Sequence, residues 1–250
     1  MAAIAPMLAD ADVRSTQVSQ LLRGHGAEVI SRQGFWLRVR SGDRYEGWVH
    51  QGYVGSLPDS DDPLLTGWND SRPLSLGCSV RDVNGSTRKL PLGALITNDE
   101  QRTAGLAMTL EERRATFPST GDAITASAQT YFEGTSYEWG GVTPWGADCS
   151  GITQSSFALH GVQLPRDAWM QAQTGLALPT DFSKLRAGDL LFFSDEPTAR
   201  ISHVAMSLGG SRVVHQALGR GGHAVDDLQS AEEYTTLLRG RFRAARRVLS

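Results

Sequence analysis

The sequence predicts an α+β domain preceded by two small β-barrels. Three observations lead there. The first 119 or so of its 250 residues read mainly as short strands joined by tight turns. Two helical stretches follow, at about 123–132 and 149–161. Strand signals then dominate to the end of the chain, and helices first with an antiparallel sheet after is an α+β order.

The first barrel is expected within residues 1–57. Phe35-Trp36-Leu37-Arg38-Val39-Arg40 alternates, Ser41-Gly42-Asp43-Arg44 turns, and Tyr45-Glu46-Gly47-Trp48-Val49 returns. Short strands with tight turns over some fifty residues suit a small barrel. The acidic stretch Pro58 to Pro63, flanked by proline, reads as a linker. The second barrel is expected over 64–119, where Ser79-Val80-Arg81-Asp82-Val83 meets the turn pair Asn84-Gly85.

The α+β domain takes residues 120–250. Its first helix stops at Gly134, and its second starts at Cys149 and ends at Gly161, with Ile152, Phe157 and Leu159 on its apolar side. Leu190–Phe193, His203–Leu208 and Arg212–Ala217 are the strands that follow. Arg239, Arg241, Arg243, Arg246 and Arg247 alternate around Phe242 and read as the solvated face of a last strand.

Composition narrows the function. Hydrophobic residues make up 40%, ample for a core, and 24 basic against 27 acidic residues leave a net charge of −3, which does not point to nucleic acid. Two cysteines, Cys78 and Cys149, make no disulfide framework, and Cys78 reads as a small buried hydrophobe. No apolar run is long enough to span a membrane. Met1 to Asp10 has neither a basic start nor a sustained apolar core, so a cytoplasmic location is expected. A chain whose leader had been removed would read the same way.

Cys149 is the residue most suited to chemistry. Gly140-Gly141-Val142-Thr143-Pro144-Trp145-Gly146 is not a helical sequence, so the helix begins at or next to Cys149. A thiol there meets unpaired amides and the positive end of the helix dipole, which stabilise its thiolate. The same amides suit the oxyanion of a tetrahedral intermediate. A structural thiol is the alternative.

The histidines weigh toward catalysis. If Gly209-Gly210-Ser211 is a hairpin loop, Leu208 faces Arg212 and His203 faces Ala217. His215 is then the diagonal neighbour of His203 on one face, at about 7–8 Å. Such a pair can divide the work, one ring taking the proton and the other orienting it. Cys plus two His also suits zinc, although no close-spaced second ligand accompanies Cys149. His25, His50, His160 and His223 read as surface residues in turns or loops.

Six blocks then occur in order: Tyr137-Glu138-Trp139-Gly140-Gly141, Asp148-Cys149-Ser150-Gly151, Leu164-Pro165-Arg166-Asp167, Ala187-Gly188-Asp189-Leu190-Leu191-Phe192-Phe193, Ser202-His203-Val204-Ala205 and Val214-His215. Together they resemble the NlpC family of papain-like cell-wall cysteine peptidases. The first two segments resemble bacterial SH3-like barrels. The whole is similar to the subgroup that hydrolyses γ-D-glutamyl–diamino acid bonds, and the expected cytoplasmic location suggests a part in murein recycling. The resemblance implies a papain-like fold and no cofactor. It makes Cys149 the nucleophile, His203 the base, His215 its orienting partner and Tyr137 an aid to the nucleophile or oxyanion. It makes Asp148, Ser150, Tyr53 and Trp139 substrate-binding residues, and a stem peptide with a free N-terminal L-Ala-γ-D-Glu-diamino acid the partner.

Two positions depart from that pattern. Ala168 stands where a serine usually follows the Arg-Asp block, and Thr16 stands where relatives often carry a glutamate that meets the substrate's amine. Two other readings stay open at this point, a wall-peptide binding module with a catalytically weak domain and a papain-like acyltransferase.

Overall fold

The computed structural model describes residues 2–56 and 67–249; the expected linker, Pro58 to Pro63, lies outside them. The chain divides into two compact units, Met1–Thr116 with Trp139–Thr143, and Phe117–Glu138 with Pro144–Ser250.

The first unit opens with β1 (Ile4–Leu8), β2 (Gln17–Leu22), β3 (Ala27–Gln33), β4 (Trp36–Ser41) and β5 (Glu46–His50), an antiparallel sheet in the order β2-β1-β5-β4-β3. The alternation read from the sequence decides which side of β4 is buried. Leu37 and Val39 join Ala5, Met7, Leu21 and Val49 in a core, while Arg38 points to solvent. The β4–β5 turn is closed by the Arg44 amide bonding to the Ser41 carbonyl at 2.8 Å. Gln51–Tyr53 forms a short 3-10 turn after β5.

Next come β6 (Leu74–Ser75), β7 (Ser79–Asp82), β8 (Thr87–Lys89), β9 (Glu100–Ala104), β10 (Ala107–Met108) and α1 (Leu110–Thr116). They make a three-stranded sheet β8-β7-β9 and a pair β6·β10. Asn84-Gly85 turns as expected, with the Asp82 amide bonding to the Ser86 carbonyl at 2.9 Å. Cys78 is buried with Leu22, Val80, Leu90, Ala94, Ile96 and Val142. The two expected barrels therefore share a core, since Leu22 comes from the first. An ion pair also joins them: Arg23 Nε meets Glu100 Oε1 at 2.8 Å, with the two side chains 7% and 0% exposed. The Trp139–Thr143 segment, which contains β11 (Val142–Thr143), belongs here too. Gln17 Nε2 donates to the Trp139 carbonyl at 3.0 Å, and the Val142 amide donates to Gln20 Oε1 at 3.1 Å. Gly140 has φ +77, and a Cβ there would sit 2.7 Å from the Gln17 carbonyl oxygen, so only glycine fits.

The second unit holds α2 (Gly121–Phe132), β12 (Gly146–Ala147), α3 (Cys149–Leu159), α4 (Ala168–Gln171), β13 (Leu176–Leu178), β14 (Ala187–Phe193), β15 (His203–Leu208), β16 (Arg212–Ala217), β17 (Gly222–Asp227), α5 (Glu233–Gly240) and β18 (Phe242–Arg247). The sheet is antiparallel in the order β13-β18-β14-β15-β16-β17. One of its apolar clusters joins Leu191, Phe193, Ala205, Val213, Leu228, Leu238 and Ala245. Gly188, at φ +83, lets β14 approach α2: a Cβ there would lie 2.6 Å from the Gly121 Cα. Among the described residues no helix is long and apolar enough to cross a membrane.

Two expectations are corrected. The C-terminal arginines are not a solvated face. Arg247 grips the buried Asp189 carboxylate through two bonds of 2.7 and 2.6 Å, and Arg246 Nε donates to the Ala172 carbonyl at 2.7 Å. Arg239 belongs to α5 and bonds the Leu228 carbonyl. Long guanidinium side chains reach carboxylates and carbonyls across the strand edge, which an alternation pattern does not reveal. Nor is every remaining histidine on the surface. His160 is buried, its ring held by the Pro118 carbonyl at 2.7 Å and Ser127 Oγ at 2.9 Å. His25 is half-buried and bonds the Gly93 carbonyl at 2.8 Å, and His223 is half-buried in β17.

Candidate active site

Asp148 begins the site. Its extended backbone and side chain cap α3, accepting the Gly151 amide at 2.7 Å. This puts Cys149 at the first helical position, buried at 5% exposure. The sulfur takes hydrogen bonds from the amides of Ser150 and Val204, so it lies against β15 at the residue following His203. Hydrogen-bonding amides at a helix start also suit a developing oxyanion.

The helix start does not by itself produce a thiolate. Burial, reinforced by the negative charge of Asp148, pushes the Cys149 thiol up to about 12, and the two amides and Arg166 only partly oppose this. Desolvation disfavours a charged sulfur here and so works against the thiolate that the helix start favours, which gives a base that takes the thiol proton a clear part in the chemistry.

That base stands on β15. The hairpin register is the one counted from the sequence, with Met206 opposite Val214 and Ser207 opposite Val213. His203 Nε2 and His215 Nδ1 lie 2.9 Å apart, and the rings are edge-to-face at 5.1 Å between centroids. His203 is half-buried, whereas His215 is fully buried. Burial and the neighbouring His215 hold His203 well below its usual value. Both nitrogens of His215 are engaged, Nδ1 by His203 and Nε2 by Asp226 Oδ2 at 2.9 Å.

Tyr137 is half-buried and pinned on two sides. Its amide bonds the Gly221 carbonyl at 3.0 Å, and it bridges to Ala147 of β12. Gln216 Nε2 holds the preceding carbonyls of Thr135 and Ser136 at 2.8 and 2.9 Å. Burial, with the charges of Cys149 and Asp148 adding to it, pushes the Tyr137 phenol up, so it stays a hydrogen-bond donor.

Asp148 and Ser150 serve the scaffold as well as the site. Arg166, only 1% exposed, meets Asp148 Oδ1 at 3.0 Å and Oδ2 at 2.6 Å, and donates to Ser150 Oγ at 2.8 Å. Ser150 Oγ donates in turn to Asp148 Oδ1 at 3.0 Å. Tyr53 and Trp139, exposed at 39% and 61%, are in the first unit, as is the exposed Thr16. Ala168 opens α4 and is buried.

Sequence reasoning missed four participants. Arg166 falls within one of the six blocks, but nothing near it in sequence marks its partner. Asp226, Arg220 and Tyr234 were not singled out. Asp226 is 7% exposed and bonds His215 and Arg220. Tyr234 packs 6.3 Å from the His215 ring. A signal existed for Asp226: His215 pairs with Ala224 across β16–β17, so Asp226 is a diagonal neighbour on the same face.

With this geometry in place, comparison with known proteins is direct. Residues 134–241 match the NlpC/P60 family and residues 7–55 match the bacterial SH3 domain. A Bacillus subtilis protein named gamma-D-glutamyl-L-lysine dipeptidyl-peptidase is 43% identical over 86 residues, covering 34% of this chain and 28% of that one. A Bacillus cereus protein of the same name is 28% identical over 225 residues, covering 79% of this chain and 66% of that one. The chain thus aligns with less than two thirds of the length of each of these relatives. The crystal structure of an NlpC/P60 family protein from Bacillus cereus superposes with a TM-score of 0.76 at 17% identity, over 99% of this chain and 98% of that one, a likeness of fold. Residues 134–241 thus form an NlpC/P60 domain, and a bacterial SH3 domain lies ahead of them at residues 7–55.

Proposed function

We propose that this protein is a cysteine peptidase that hydrolyses the γ-D-glutamyl–diamino acid bond of peptides derived from peptidoglycan. The observation that carries the proposal is the helix-start thiol of Cys149, lying against β15 beside a hydrogen-bonded His203–His215 pair. The names of the two Bacillus relatives support the bond chosen.

The reaction follows from the groups present. His203 takes the thiol proton of Cys149 as the sulfur attacks the γ-carbonyl carbon of D-Glu. The amides near the sulfur and the phenol of Tyr137 are donors suited to the oxyanion. When the C–N bond breaks, His203 returns the proton to the leaving amine of the diamino acid. Water then attacks the thioester, His203 takes its proton, and the C–S bond breaks to release the γ-carboxylate and the thiol.

The pH dependence follows from His203. Protonated, it cannot accept the thiol proton. Its value is depressed, so the working neutral form survives below the ordinary histidine value of about 6.5. A plot of kcat/KM against pH is expected to stay level from pH 8 to about 6.5 and to fall only below that. An acid limb centred at or above the ordinary value would contradict the assignment of His203 as the buried neutral base.

The substrate is proposed to be a released peptide with a free N-terminus, acted on inside the cell as part of murein recycling. Thr16 lacks the charge of the glutamate it replaces, and a charge-assisted hydrogen bond is about twice as strong as a neutral one. The amine preference is therefore assigned mainly to Asp148 and Tyr53. Arg166 offsets part of the Asp148 charge, which makes that preference moderate rather than absolute. The test compares kcat/KM for free and N-acetylated L-Ala-γ-D-Glu-diamino acid peptides, in the wild type and in Asp148→Asn, with products read by mass spectrometry. The free peptide is expected to be favoured, and less so in the variant. Equal wild-type rates would point to intact wall as the substrate. Release of a transferred acyl group rather than a free acid would make the protein an acyltransferase.

A further inference from the structure

We propose that Asp226 is a positioning residue that fixes the proton positions on both site histidines, and that Arg220 holds it in place for that task. The effect on turnover rests on the peptidase reading; the proton positions do not.

A carboxylate only accepts hydrogen bonds. Asp226 Oδ2 lies 2.9 Å from His215 Nε2, so that nitrogen carries the proton. A neutral imidazole has one donor and one acceptor nitrogen, so His215 Nδ1 accepts. Its partner at 2.9 Å, His203 Nε2, must then be the donor. This leaves the lone pair of His203 on Nδ1, the nitrogen available to take a thiol proton. Reversing the proton on His215 would reverse the one on His203 and block the base. The chain of bonds therefore transmits one choice, made at Asp226, through two rings.

Asp226 is built to hold that choice. Burial alone would raise its carboxyl, but the hydrogen bonds from His215 and Arg220 together outweigh it and hold the group below the usual carboxylate range. Arg220 Nη2 meets Asp226 Oδ1 at 2.7 Å, and its Nε approaches Oδ2 at 3.3 Å. Arg220 is in turn gripped by Glu232 at 2.5 and 2.8 Å and lies 4.5 Å above the Tyr234 ring. The carboxylate cannot rotate away from His215 without giving up these contacts.

The test uses the full chain with 15N-labelled imidazoles. Two-bond 15N–1H NMR reads which nitrogen of each ring is protonated, and steady-state kinetics read turnover. The wild type is expected to show Nε2–H on both His203 and His215. In Asp226→Asn the amide can turn a donor toward His215, so both rings are expected to switch to Nδ1–H. Replacing the carboxylate of a serine-protease triad by its amide costs about 10⁴-fold through the wrong tautomer; one ring further away, a fall of about 10²–10³-fold in kcat with KM nearly unchanged is expected. Asp226→Glu keeps a carboxylate and is expected to retain Nε2–H and most of the activity. Nδ1–H on either ring of the wild type overturns the proposal without any variant. So does an Asn variant with unchanged proton positions, whatever its activity, because the residue would then act only in packing. If the wild type cleaves no stem peptide, the peptidase reading fails while the NMR result still decides this one.

Discussion

Cys149→Ala is expected to abolish turnover of a γ-D-glutamyl–diamino acid peptide, with a loss on the order of 10³-fold or more. The substitution removes the only group at the start of α3 that can form a thioester, while the Asp148 cap and the buried surroundings stay in place. A well-folded variant is therefore expected, with peptide binding retained. His203→Ala should cost nearly as much, because burial pushes the thiol up to about 12 and His203 is the base assigned to take its proton. His215→Ala should cost less, since that ring orients the base and does not itself carry the proton. The three single variants and one double variant, Cys149→Ala with His203→Ala, would be compared by kcat/KM. Groups that act as a unit give a double loss close to the larger single loss. Turnover that persists in Cys149→Ala would end the peptidase reading.

The largest expected effect on stability belongs to Arg166→Ala. This arginine is 1% exposed and satisfies both oxygens of Asp148, which itself caps α3. Removing one partner of a buried ion pair strands the other in a medium that solvates it poorly, at a cost of about 3–5 kcal/mol. At about 2–4 °C per kcal/mol, thermal unfolding should fall by on the order of 10 °C. The cap and the nucleophile would loosen together, so activity should fall below the unfolding temperature as well. Adding Asp148→Asn to the Arg166→Ala chain removes the stranded charge and should recover part of the stability. A loss under about 1 kcal/mol in Arg166→Ala, the range of an exposed pair, would show that the pair contributes little.

Much of the site was legible because its signals are short in range. The helix start at Cys149 follows from a non-helical glycine-rich run within a few positions of it. The His203–His215 contact follows from counting along one hairpin, and the observed pairing of Met206 with Val214 is the one that count requires. Asp226 escaped although the same counting reaches it. The β16–β17 connection holds a 3-10 turn at Leu218–Arg220, so the length of the loop does not announce the register. Arg166 escaped for a different reason. A lone arginine in a loop reads as solvated, and its burial depends on a partner 18 residues earlier.

The sequence by itself determined the α+β class of the C-terminal domain, two of its helices, the alternation of β4, the register of one hairpin and the identity of the thiol and its two histidines. These rest on alternation and turn chemistry, which act through neighbouring residues and need no knowledge of what lies above or below. Tertiary structure alone decided that the first two segments share one core, that the C-terminal arginines are tied to carboxylates and carbonyls, and that Asp148 is paired. It also set the burial of the thiol. A helix end favours a thiolate and burial opposes it, and which one prevails depends on how much solvent the surrounding chain excludes. Cys149 is left only 5% exposed, and that burial raises its thiol against the pull of the helix start.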